Sequence, residues 1–264
     1  MARISVIIGI YNCASTLVEA LDSLYCQTYK DFKIILCEDG SNDNTYEVAF
    51  QYSKAHDNIL LLRNEHNLGL NITLNRCLEH VDTEYVARMD GDDISLPTRF
   101  EKEIEFLDEH PEYAFVSCPM IYFDETGDFR TGKVRPEPVK EDYLYGRTFC
   151  HAPVMVRTEA YMAVGGYSVS KYLLRVEDMH LWLKLYKNGY RGFNLSVPLY
   201  KMRDDRNAFN RRTFQNRRNE AYLKLKICKD LKLPWWHYPE SVIIPFAKWV
   251  MPRFLYYKFH RFKL

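Results

Sequence analysis

The strongest constraint in this chain is a change of hydrophobic period that recurs through residues 1–110. Short apolar runs at 4–8, 32–37, 59–63 and 85–89 alternate with stretches that carry apolar residues on one helical face, such as Leu17, Leu21 and Leu24, or Val48 and Tyr52. Thr16-Leu17-Val18-Glu19 fits a capping box, and His110-Pro111 ends the helix expected over 97–109. Strands alternating with helices predict an α/β fold with a parallel, helix-covered sheet. The strands of such a sheet end along one edge, where open α/β folds hold their ligands.

Each strand end is polar. The first supplies Tyr11 and Asn12, the second Glu38 and Asp39, the third leads to Asn67-Leu68-Gly69, and the fourth runs into Asp90-Gly91-Asp92-Asp93. An Asp at a strand tip can accept from the N–H of a nucleotide base or hold a ribose hydroxyl, and Tyr11 offers a ring face for stacking. Carboxylates this close raise one another's pKa, and a hard divalent cation shared with a phosphate relieves the repulsion. The expected ion is Mg²⁺ or Mn²⁺. Each residue taken alone also has a plainer reading: rim packing for Tyr11, an Asx-turn for Asp39, a helix cap for Asn67. The acidic run alone could be a solvated turn before a helix starting at Ser95-Leu96-Pro97. An EF-hand is excluded, because Ile94 and Ser95 stand where that loop needs an oxygen ligand and a glycine.

After Tyr113 the pattern changes. Strands are expected over 113–118 and 120–124, with Glu125-Thr126-Gly127-Asp128 between hairpin arms, then over 153–156 and 197–202. Residues 128–150 include Pro136 and Pro138, lack periodicity, and read as a loop across the sheet's edge. A helix over 178–186 ends at Gly189 and has Glu177 and Asp178 at its start, where the helix dipole favours acidic side chains. His151 precedes the strand at 153–156, as a structural residue or as part of a site. Arg203 closes the last strand, and its guanidinium suits the paired oxygens of a phosphate.

With 264 residues and 47% hydrophobic content, the chain can bury one large core, or a core with an appendage. Its seven cysteines are odd in number and form no C-x-x-C pair, which argues for reduced thiols in a cytosolic protein and against a disulfide framework or zinc site. Met1-Ala2-Arg3 leads directly into a strand, so no signal peptide is expected, and no apolar run reaches the ~20 residues of a membrane span. The net charge of +1 conceals an acidic body and a basic end: residues 205–264 hold 14 Lys and Arg against 4 Asp and Glu. There Arg211, Arg212, Arg217, Arg218, Lys224, Lys226, Lys229 and Lys232 precede Trp235-Trp236, an apolar stretch at 242–252, and aromatics mixed with Lys258, Arg261 and Lys263. Such a tail suits an anionic membrane surface, or packs on the body as a helical appendage. No nucleic-acid motif accompanies it, and no nucleic acid is expected.

Four motifs occur in order: Ser5-Val6-Ile7-Ile8-Gly9-Ile10-Tyr11-Asn12, Glu38-Asp39-Gly40-Ser41-Asn42-Asp43-Asn44-Thr45, Asn67-Leu68-Gly69 with Leu74-Asn75-Arg76, and Met89-Asp90-Gly91-Asp92-Asp93. Together they resemble the nucleotide-binding half of the family 2 glycosyltransferases of GT-A fold. The likeness continues in Gly165-Gly166-Tyr167 and Glu177-Asp178-Met179-His180-Leu181-Trp182-Leu183, and covers roughly 3–205. One departure stands out: the family commonly has a proline two residues before Tyr11, where this chain has Gly9, which implies a looser loop.

The resemblance implies a Rossmann-like mixed sheet covered by helices. A catalytic domain would span 1–205, with a nucleotide-binding part over 1–110 and an acceptor-side part over 111–205, and a basic, aromatic helical tail would span 206–264. It implies that Asp39 holds the base with Tyr11 packed beside it, and that Asp90 contacts the ribose or a metal-bound water. Asp92 would ligate the cation bridging the diphosphate, and Asp178, paired with Glu177, would be the general base. The implied reaction is an inverting transfer from a nucleoside diphosphate sugar, a UDP-sugar foremost, to a glycan or lipid-linked acceptor. Its setting would be cell-surface polysaccharide synthesis, in the cytoplasm or peripherally at the inner face of the plasma membrane. Such a transfer needs a carboxylate for the acceptor's proton and positive charge on the leaving diphosphate, hence two acidic clusters.

A nucleotidylyltransferase would instead show a glycine-rich basic loop after the first strand, where Tyr11-Asn12-Cys13-Ala14 stands. A dehalogenase-type phosphatase would carry its Asp-x-Asp after the first strand. A catalytically inactive nucleotide-binding module would keep the donor site alone, and Glu177-Asp178 argues against it.

Overall fold

The computed structural model describes residues 2–204 and 213–250. β1 (Ile4–Ile10), α1 (Leu17–Tyr25), β2 (Phe32–Glu38), α2 (Thr45–Lys54), β3 (Ile59–Arg63), α3 (Leu70–Leu78) and β4 (Tyr85–Asp90) alternate as the periodicity requires. β5 (Ile94–Ser95), α4 (Arg99–Glu109), β6 (Phe115–Ser117), β7 (Met120–Asp124), β8 (Gly127–Thr131), α5 (Lys140–Tyr145), β9 (Met155–Arg157) and α6 (Thr158–Ala163) follow. The order closes with α7 (Glu177–Lys187), β10 (Gly192–Asn194), β11 (Tyr200–Arg203), α8 (Phe214–Asp230) and α9 (His237–Val250).

The main sheet has seven strands in the order β10-β6-β9-β4-β1-β2-β3. β1 runs parallel to β2 and β4, and β2 to β3, while β9 enters antiparallel between β4 and β6 and makes the sheet mixed. β1 is apolar along its length because both of its faces are covered. Ile4, Val6, Ile8 and Ile10 join one core with Leu17, Leu21 and Phe100, while Ile7 joins the other with Leu74 and Trp182. Register aligns the strand ends: Gly9 pairs with both Cys37 and Asp90, and Ile10 with Glu38. Tyr11, Asp39 and the acidic loop therefore leave the sheet side by side. A second sheet, β5-β11-β7-β8, brings Arg203 back against that loop.

Several local expectations change. The capping box at Thr16 does not form: its hydroxyl donates to the carbonyls of Cys13 and Gly91, each at 3.2 Å, while Glu19 pairs with Arg203. Residues 128–150 are more than a loop, since β8 occupies their start and α5 their middle, closed by Gly146 at φ 65°. α6, β5 and β10 are too short to leave a period in the sequence. The tail beyond 205 also divides. α8 buries Leu223, Ile227 and Cys228 in the same core as Trp182 and Leu185, so it belongs to the body. Arg211, Arg212 and the aromatic-basic residues after Val250 lie outside the described residues. All seven cysteines are free thiols, and no helix among the described residues is long and apolar enough to cross a membrane.

Candidate active site at the sheet edge

A cleft of about 510 Å³ opens at the carboxyl edge of β1 and β2. It joins Gly9, Tyr11, Asp39, Asn67 and Gly69 to Leu174, Arg175 and Glu177, ahead of and within the first turn of α7, and to Asn216 of α8.

The strand-end loops are stitched together by the polar residues of the second motif. Ser41 Oγ accepts from Asn12 N at 3.0 Å, Thr45 Oγ1 from Cys13 N at 2.8 Å, Asp43 Oδ2 from Ala14 N at 3.2 Å, and Asn12 Oδ1 from Asn42 N at 2.9 Å. These bonds hold Asn12 at φ 50° and leave the Tyr11 ring 43% exposed at the cleft. Gly9 has a packing reason: a Cβ there would stand 3.1 Å from Leu70 Cδ1 and 3.2 Å from Thr73 Cγ2. The absent proline lets α3 approach β1 closely, so the position is tight where the sequence implied looseness.

Asp39 is buried and already hydrogen-bonded. Its Oδ1 accepts from Asn64 Nδ2 at 2.7 Å and Leu68 N at 2.9 Å, and its Oδ2 from Gly69 N at 3.0 Å. The carboxylate thus shapes the 67–69 turn while also lining the cleft. Asn67 itself is exposed, and α3 is capped by Gly69 at φ 94° rather than by Asn67. On the far side of α3, Asn75 gives Nδ2 to the Tyr167 carbonyl and takes the Tyr167 N–H on Oδ1, both at 2.8 Å. Gly166, at φ 58°, has no room for a Cβ, which would stand 2.6 Å from Asn75 Oδ1. Two motifs, with bonded residues 92 apart in sequence, therefore dock directly on each other.

At the end of β4, Asp90 forms an ion pair with Arg88, and Asp90 N donates to Tyr200 Oη at 3.1 Å. Asp93 is buried and accepts from Arg203 N at 2.8 Å. Burial, then the charges of Asp90 and Asp92, push the Asp93 carboxyl well above the usual carboxylate range. Asp92 is exposed at its rim, yet desolvation by its surroundings and then the Asp90 charge raise it too. Among the described residues no group of three or more His, Cys, Asp or Glu forms a metal cage. The loop offers instead an exposed Asp92 with Asp90 beside it. That small hard-oxygen set fits Mg²⁺ or Mn²⁺ when phosphates and water complete the shell. Arg203 ends β11 against this loop, and its side chain is already engaged: its Nε donates to the Asp92 carbonyl at 2.9 Å, and its guanidinium pairs with Glu19 and lies over Phe123.

Across the cleft, Glu177 and Asp178 open α7 after Arg175, which takes φ 68°. Burial raises both carboxyls, and the Asp178 shift is opposed by the Met179 N–H and the Arg88 charge. Glu177 Oε2 is buried with no hydrogen-bond partner among the described residues. His151 is held by burial well below its ordinary pKa, hence neutral, and lies 2.7 Å from Tyr167 Oη. Sequence reasoning missed Arg88. This buried guanidinium pairs with Asp90, and its charge reaches Asp178 and His151, so it joins both acidic groups. The available signal was a lone cation inside the apolar 85–89 run. It also missed Asn219, buried on α8, whose Nδ2 bonds the carbonyls of Lys171 and Leu174 at 3.0 and 3.2 Å and so holds the loop ahead of α7.

Residues 5–165 match the family described as Glycosyl transferase family 2. The putative glycosyltransferase EpsE of Bacillus subtilis is 40% identical over 98% of this chain and 93% of its own length. An Escherichia coli relative, the UDP-Glc:alpha-D-GlcNAc-diphosphoundecaprenol beta-1,3-glucosyltransferase WfaP, is 28% identical over 75% of each chain. Among solved structures, S. aureus TarS 1-349 in complex with UDP-GlcNAc superposes with a TM-score of 0.70 over 92% of this chain and 70% of that one, at 19% identity. The mannosyltransferase PcManGT of Pyrobaculum calidifontis, in complex with GDP-Man and Mn²⁺, gives 0.65 over 93% and 74%, also at 19% identity. The fold is that of the GT-A glycosyltransferases, and with the family match over most of its length this chain belongs to glycosyltransferase family 2.

Proposed function

We propose that this glycosyltransferase performs an inverting transfer from a nucleoside diphosphate sugar, a UDP-sugar foremost, to a hydroxyl of a glycan or lipid-linked acceptor in cell-surface polysaccharide synthesis. One observation carries the reading: the cleft that takes Tyr11, Asp39 and Asn67 from the strand ends also takes Glu177 from the start of α7. A donor lying along the first group would present its sugar to the second. Relatives support the substrate classes, since TarS is solved with UDP-GlcNAc and WfaP is named for a diphosphoundecaprenol acceptor.

In this reading the Tyr11 ring packs on the base, and the spare acceptor capacity of Asp39 meets a base N–H. Asp92, with Asp90, would hold a divalent ion that neutralises charge on the leaving diphosphate. Asp178 takes the proton of the acceptor hydroxyl as its oxygen attacks the anomeric carbon, and burial makes that carboxylate a stronger base than an exposed Asp. Glu177 lines the acceptor side and orients the incoming hydroxyl. Nucleotide release from UDP-, GDP- and dTDP-sugars with Mn²⁺ tests the assignment. Wild type should turn over at least one donor. Asp92→Ala should abolish transfer, and Asp178→Asn should lower the rate by about 10²–10⁴-fold. Near-normal turnover in either variant would overturn its assigned role.

A further inference from the structure

α9 distributes its residues in reverse of an ordinary surface helix. Its acidic and basic residues, Glu240 and Lys248, are both tied to the body. Glu240 accepts from Tyr145 Oη at 2.8 Å, and Lys248 Nζ reaches Glu220 of α8 at 3.3 Å. Ser241 and Pro245 are buried against α8, and Ser241 Oγ lies 3.2 Å from Cys228 Sγ. What faces outward is apolar: Ile243 and Val250 are 63% and 70% exposed, and Trp235, just before the helix, is 76% exposed beside Trp236. Ile243 and Val250 stand seven residues apart on one helical face, and exposed apolar surface of this kind marks an interaction site.

The segment that carries it is cationic, with 14 Lys and Arg against 4 Asp and Glu over residues 205–264. Arg218, Lys229 and Lys232 are exposed on and just after α8. The sequence adds Arg206, Arg211 and Arg212 before that helix, and Arg253, Lys258, Arg261 and Lys263 after α9. We propose that the outward face of α9, with Trp235 and Trp236, rests in the headgroup layer of an anionic lipid bilayer. A second copy of the chain would bring two such basic segments together, which is repulsive, whereas anionic headgroups complement them. Trp beside Lys and Arg is the composition of a membrane interface, and the 14 described residues of α9 are too few to span. The inference deepens the lipid-linked acceptor reading. α8, on which α9 sits, supplies Asn216 to the cleft and clamps residues 171–174 through Asn219, so docking would set the acceptor side at the bilayer.

Co-sedimentation of the full chain with phosphatidylcholine vesicles, with and without phosphatidylglycerol, tests this, together with quenching of Trp fluorescence by brominated lipid. Wild type should bind the anionic vesicles, be quenched, and release as salt rises. Ile243→Glu should weaken binding about tenfold, and Trp235→Ala with Trp236→Ala should do likewise with an unchanged melting temperature. The Asp92→Ala chain should bind as wild type does, which separates this result from any failure of catalysis. No binding by wild type, or unaltered binding by Ile243→Glu, would overturn the proposal. A lipid-free dimer that Ile243→Glu dissociates would overturn it in favour of a second copy.

Discussion

A guanidinium inside a sheet needs compensation, and Arg88 obtains it from Asp90. Its charge also restrains the rise of the Asp178 pKa. A general base works when deprotonated, so the acid limb of kcat should lie above the ordinary Asp value, and Arg88→Gln should move it to still higher pH. A pH–rate profile of the two proteins reads this, and an unmoved limb would show that the base does not feel Arg88. The acidic loop was legible in the sequence because several carboxylates follow an apolar run. Arg88 was not, because nothing local names the partners of a single strand cation. Asp39 was legible as a position only, since its bonding partners Asn64, Leu68 and Gly69 arrive from the next strand's loop.

At the scale of elements, the parallel half of the sheet was written in its periodicity, and β9 falls within the run expected over 153–156, whereas its antiparallel place between β4 and β6 comes from tertiary pairing and β5 and β10 were hidden by their brevity. Gly40, between β2 and α2, takes φ 66°, and a Cβ there would stand 2.5 Å from the His66 carbonyl carbon. Gly40→Ala should therefore displace the 66–69 turn. It should cost about 1–2 kcal/mol from the left-handed backbone alone and weaken nucleotide binding, both readable by thermal melting with and without UDP. Beneath β4, Arg99 Nε lies 3.1 Å from both oxygens of Glu103, each side chain fully buried, and Arg99 Nη2 donates to the Arg88 carbonyl at 2.9 Å. Glu103→Leu strands that buried cation and should cost about 3–5 kcal/mol in urea unfolding.

At the scale of the molecule, the charge asymmetry of the sequence identified a distinct end but could not separate its two helices. α8 hides Leu223 and Ile227 among lysines, so its core-facing side emerges only from packing. Leu223→Ala should destabilise the whole body by about 2–5 kcal/mol, as a core substitution does, and chemical denaturation checks it. A surface appendage would lose far less. The two walls of the cleft are consequently maintained by unequal means. One is locked by a web of bonds spread over the first half of the chain, while the other, docked on α3 through Asn71 and Asn75, is also tied to a late helix through Asn219. With the donor and acceptor sides as proposed, exchange of the C-terminal segment would revise what the enzyme builds upon, while what it builds with would stay inherited. Chimeras between relatives joined before α8 should follow their tails in acceptor choice and their heads in donor choice.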